Sequence, residues 1–182
     1  EAGGEPTATN SAGAGGTPTA GSVKIDGSNL GSALAGTIPA TKISANTAKG
    51  FSIVSYTGTG SAGTVAHGLN SALDFIIVKR LAVADNWPVY HSGNTSAPET
   101  DSLFLNTNEA TQDLTYWNDT SPTSTVFSLG SNNIVNKSGE AIIAFCWHSV
   151  SGYSKFGSFT GNGGSQEITV GFRPALVAIK RT

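Results

Sequence analysis

The side chains in this sequence best suited to acid–base or metal chemistry are His67, His91 and His148, with a single cysteine, Cys146. A metal site wants two ligands at i, i+2 on a strand or i, i+4 on a helix, with a carboxylate or thiolate in support. Only Cys146 and His148 meet such a spacing. It puts both on one face of a strand, as half a site. Cys146 lies in the apolar run Ala141–Trp147, where a buried, inert thiol is expected. No serine stands in a Gly-x-Ser-x-Gly elbow. Asp85, Asp101, Asp113 and Asp119 fall in loops or at strand ends, where Asp ordinarily closes turns. A glycosidase-type carboxylate pair stays open, because its members can lie far apart in the chain. The glycine-rich stretches Thr57–Gly60 and Thr160–Gly163 lack the Lys-Ser/Thr ending of a phosphate loop and read as tight turns. We therefore expect no enzyme, no catalytic residue, no metal and no cofactor.

Aromatic residues give the one binding signal. Trp87, Tyr90, Tyr116 and Trp117 fall near strand ends beside polar loops, a placement suited to stacking on sugar rings, with core filling as the competing role. Tyr116 and Trp117 are adjacent, so on a strand they point to opposite faces, and one is expected to face solvent or a partner.

Composition narrows the partners. Charged residues make up 12% of the 182, about half the ~25% of an ordinary globular protein, so solubility rests on hydroxyls and amides. A formal charge of -2 gives no electrostatic reason to expect nucleic acid. No apolar run approaches the ~20 residues of a membrane-spanning helix, and one cysteine allows no disulfide within the chain. A start at Glu1 and the absence of Met suggest a processed or excised segment.

The elements that must position these residues divide the chain into three. Residues 1–49 read as an extended, largely irregular arm. Its first 21 residues are Gly, Ala, Thr, Ser and Pro with almost nothing to bury, and are expected to be ordered only by a neighbouring chain. Val23, Ile25, Leu30, Leu34, Ile38 and Ile43 follow as sparse apolar residues suited to an oligomer interface, most simply a trimer. Residues 50–151 read as an antiparallel β-sandwich module. Its strands are expected at Phe51–Tyr56, Phe75–Lys79, Trp87–His91, Ser102–Leu105, Asp113–Trp117, Thr125–Leu129 and Ala141–His148, and the fold class is all-β. Residues 152–182 repeat the opening of that module. Gly50–Gly60 returns as Gly152–Gly163, and Leu73–Arg80 as Ala175–Arg181, with a residue or two of insertion. This second copy either adds strands to the first or opens another domain. Opposite His67 it carries Val170, so that position tolerates an apolar side chain and reads as packed rather than ligating.

Two stretches carry a resemblance. Phe145–Gly163, followed by Gly171-Phe172-Arg173-Pro174-Ala175 and Ile179-Lys180-Arg181, resembles a repeated module of tailed-phage tail-fibre and virion proteins, many of them from marine phages. Leu34–Ile43, with Gly36-Thr37-Ile38-Pro39, is similar to segments of phage fibre shafts. The resemblance implies a non-enzymatic virion structural protein, found in the extracellular particle. It would be a tail-fibre component that meets itself, other virion proteins and a host surface glycan, with neither nucleic acid nor membrane insertion involved. It transfers no catalytic residue. Three other roles fit the same residues: a capsid decoration protein clamping neighbouring capsomers, a bacterial surface or pilus-like subunit assembled by strand donation, and a lectin-like binding module.

Overall fold

The computed structural model describes residues 2–182. In chain order its strands are β1 (Val23–Ile25), β2 (Ser28–Asn29), β3 (Ala40–Asn46), β4 (Phe51–Thr57), β5 (Gly63–Ala66), β6 (Phe75–Arg80), β7 (Pro88–His91), β8 (Asp101–Phe104), β9 (Gln112–Asp113), β10 (Val126–Leu129) and β11 (Ala141–Trp147). A one-turn helix α1 (Asn133–Asn136) and 3-10 turns at Pro98–Thr100 and Thr115–Trp117 complete the inventory among the described residues. The fold is all-β, as its alternating and β-branched runs predict.

Nine strands form one sheet in the order β2-β1-β3-β4-β11-β6-β7-β8-β9, and β5 and β10 form a separate two-stranded ribbon. All pairs are antiparallel except β1 with β3, which makes the large sheet mixed. β11 lies at the centre, hydrogen-bonded to β4 on one side and β6 on the other. The two edge strands, β2 and β9, are two residues long. The β1–β2 hairpin turns at Asp26-Gly27, with φ of 50° and 84°, the doubly positive geometry that suits the twist of the flanking strands.

The core lies between one face of this sheet and the β5–β10 ribbon with its neighbouring loops. Alternation selects its members: Val54 and Tyr56 from β4, Ile76 and Val78 from β6, and Ile142, Ala144 and Cys146 from β11 meet Val65, Phe127 and Leu129 from the ribbon. Asn136 at the end of α1 is fully buried and ties three loops together. Its amide nitrogen donates to the Ser61 and Gly130 carbonyls at 2.7 and 2.9 Å, and its oxygen accepts from the Thr59 N–H at 2.8 Å.

Three expectations are corrected here. The division at residue 49 does not separate an arm from a module, because β1 and β3 belong to the sheet. Val23, Leu34, Ile38 and Ile43 are buried in this chain's own core, with Ile25 and Leu30 packed against it, so these side chains close the module and are not left for an interface. They are sparse because short strands and loops contribute one face each. Residues 2–21 make hydrogen bonds to their own chain: Asn10 donates to the carbonyls of Ala40 and Thr41, and Ser44 Oγ donates to Gly4 O at 2.7 Å. The approach is so close that a Cβ at Gly3 would lie 1.6 Å from the Ala45 carbonyl oxygen. Finally, the second copy adds no strand to the first. Residues 155–182 carry no regular element.

Candidate functional site

The expected binding aromatics are mostly core residues. Tyr90, Tyr116 and Trp117 are buried, which raises both phenol pKa values through desolvation. Thr115–Trp117 is a 3-10 turn and not the expected strand, and both Tyr116 and Trp117 are buried in it, against Phe104 and Tyr90 respectively. Asn118 closes it in the left-handed region, at φ 52°, and the Trp117 indole N–H donates to Asp101 O at 3.0 Å. Only Trp87 stays half-exposed, with Lys79 Nζ 5.9 Å from its ring centroid. The sugar-stacking role expected of the buried three has no free ring face to use.

The polar candidates are likewise enclosed. His67 is fully buried; its Nδ1 accepts the Leu69 N–H and its Nε2 faces Thr123 O, each at 3.2 Å. Those partners fix a neutral ring with the proton on Nε2, and burial pulls its pKa down to about 4. Cys146 points into the core, where burial pushes its thiol well up. His148 lies past the end of β11, with Nδ1 against Ser149 O, so the Cys146–His148 half-site is not assembled. Arg80 meets Glu140 through two hydrogen bonds of 2.6 and 2.8 Å and Asp85 at 2.9 Å. The guanidinium holds the Glu140 carboxyl below its ordinary range, and the trio clasps the end of the β6–β11 pair. Among the described residues no three His, Cys, Asp or Glu side chains converge as a metal cage would require.

What the fold does present is the outer face of the central strands. Strand register lines up Phe51, Trp147, Phe75 and His91 in one row across β4, β11, β6 and β7. The next row is Ile53, Phe145, Ile77 and Val89. Phe51 stacks on Trp147 at 4.9 Å between centroids, Trp147 meets Phe75 at 5.6 Å, and Phe75 meets the His91 ring edge-on at 5.7 Å. Phe156, from beyond β11, stacks on Phe75 at 5.3 Å. His91 Nδ1 accepts the Gly93 N–H, and burial lowers its pKa, so the row is uncharged near neutrality. A shallow groove of ≈ 360 Å³ runs beside it, between residues 2–6 and the Lys42, Ser44, Ile53 and Ser55 side of β3 and β4. Half-buried rings on a flat, uncharged face can hold a partner by stacking and apolar contact.

Sequence reasoning missed this row. Its signal was available: β6 and β11 are apolar on both alternations, so one set had to lie outside the core.

The chain belongs to the family described as a domain of unknown function, DUF7483, which matches residues 8–182. No curated protein matches it, and no solved structure does.

Proposed function

We propose that this chain is a non-enzymatic structural protein of a tailed-phage virion, most simply a tail-fibre component that displays the β module for host attachment. The observation that carries the reading is the reuse of the module opening, Gly50–Arg80 at Gly152–Arg181, within the stretch that resembles phage fibre modules. Recurrence of a module of this length along one chain suits a protein that extends a fibre or tiles a surface. Two further features agree with it. His67 and Cys146 are enclosed and Arg80 is paired with Glu140 and Asp85, and the sheet presents an uncharged aromatic face. In this reading Phe51, Phe75 and Trp147 take the contact role first expected of Trp87, Tyr90, Tyr116 and Trp117.

Antibodies to the recombinant chain, gold-labelled on particles of a phage carrying this sequence, test the reading directly. Gold at the tail or its fibres is the expected result. Gold over the head would move the protein to capsid decoration, and unlabelled particles would remove it from the virion.

A further inference from the structure

Phe156 lies on the outer face of the sheet without belonging to it, and we infer that it is a hinged cover over a seat for one aromatic ring. When it swings away, the seat takes an aromatic side chain of a partner polypeptide. The inference rests on the contact role proposed for Phe51, Phe75 and Trp147, and adds what that face binds and how it is gated.

Three observations lead there. First, fixed strands build the seat, and a ring from an irregular segment fills it. Phe75 on β6 and Trp147 on β11 are register partners in the ladder. The Phe156 ring stacks on Phe75 at 5.3 Å and 12°, and meets Trp147 at 6.5 Å, separations at which aromatic rings attract. Second, the cover is lightly tied. The turn before it is closed, because Val150 and Ser154 exchange backbone hydrogen bonds of 3.0 and 2.9 Å. Beyond that turn, Lys155 and residues 157–160 are exposed and carry no regular element. Phe156 is half-buried between them, with its N–H donating to Ser149 Oγ at 3.2 Å. A Cβ at Gly157 would meet nothing within 4 Å. Backbone with so little enclosed around it opens locally at small free-energy cost, and the closed turn sets where the movement begins.

Third, the border of the seat selects the occupant. Its polar groups are already bonded within the chain. The Asp74 carboxylate accepts from Ser92 Oγ and the Ser149 N–H, and His91 Nδ1 accepts the Gly93 N–H. A sugar ring needs partners for its hydroxyls beside the stacking surface, whereas a phenyl ring does not. Phe156 shows what fits: one flat ring, with the backbone N–H of the same residue on Ser149 Oγ.

The test uses the full chain and, as probe, a peptide of residues 153–161, which carries Phe156 itself. Binding is read from the indole N–H resonance of Trp147. Phe156→Ser removes the covering ring. Gly93→Cys/Ser158→Cys ties the cover down through a disulfide, since a Cβ at Gly93 would lie 3.5 Å from Ser158 N, and a reductant releases it. Cys146 is buried and takes no part. Phe156→Ser should bind the peptide at least about tenfold more tightly than the unaltered chain, the factor lost by a seat open about a tenth of the time. The oxidised pair should not bind, and reduction should restore the binding of the unaltered chain. Equal binding by Phe156→Ser and the unaltered chain, or by the oxidised and reduced pair, would overturn the inference. No host cell enters the assay, so its failure and a failure of the attachment reading are separate results.

Discussion

The two faces of the central sheet use the same kinds of side chain under opposite conditions. On the inner face Tyr56, Trp117 and Phe127 are enclosed, and each polar tip has a partner; the Tyr56 hydroxyl donates to Val135 O at 2.7 Å. On the outer face Phe51, Phe75 and Trp147 touch one another and keep part of each ring accessible. Hydrophobicity alone does not separate the two sets. Enclosure does, and it decides which residues carry stability and which are free to meet a partner.

Substituting one tryptophan on each side of the molecule probes the contrast most strongly. Trp117→Ala should cost about 3–5 kcal/mol in urea unfolding, from lost burial and an unfilled cavity. Trp147→Ala should cost about 1–2 kcal/mol, chiefly stacking with Phe51 and Phe75. Equal losses would mean that the outer face is as integral to folding as the core.

Acid is the next lever. His67 has its folded pKa lowered from 6.5 to about 4, so the folded state binds the proton less well than the unfolded chain. Its contribution is present above pH 6.5 and is lost as pH falls through that window, amounting to about 3 kcal/mol near pH 4. A His67→Val variant, with the residue found at position 170, should be less stable at pH 7 but lack this part of the acid slope. An unchanged slope would place the acid sensitivity elsewhere.

Asn136→Ala should cost about 2–3 kcal/mol, because the Ser61 and Gly130 carbonyls and the Thr59 N–H lose a buried partner together. The last test returns to the outer face and reads binding before stability. A Phe75→Ser/Phe51→Ser pair should leave the unfolding transition cooperative, at a cost of about 2 kcal/mol, while removing the host-cell retention that the proposed attachment role predicts. Retention unaffected by the pair would detach the aromatic row from host attachment.

The strands themselves were legible in the sequence. β4, β6, β10 and β11 fall where alternating or β-branched runs stand between polar turns, because side-chain period is a local property. Pairing was not legible. Nothing local says that β11, last in the chain, would lie between β4 and β6, or that Val23 and Ile25 would pair parallel to β3. The same limit explains the misplaced arm: sparse apolar residues look unable to form a core until another part of the chain supplies the other side. Tyr116-Trp117 misled for a different reason. Two adjacent aromatics imply opposite faces only on a strand, and the enclosed Trp117–Asp101 hydrogen bond favours a helical turn there.

The two-residue strands at either margin of the large sheet have a consequence for how such molecules can be joined. Lateral growth, one sheet extending into the next, needs a run of free backbone donors and acceptors along an open border. β2 and β9 offer a few each, too short a seam to template a neighbour. Edge-to-edge fusion of the large sheet is disfavoured on both margins, so it can be crowded at high local density without extending into its neighbours.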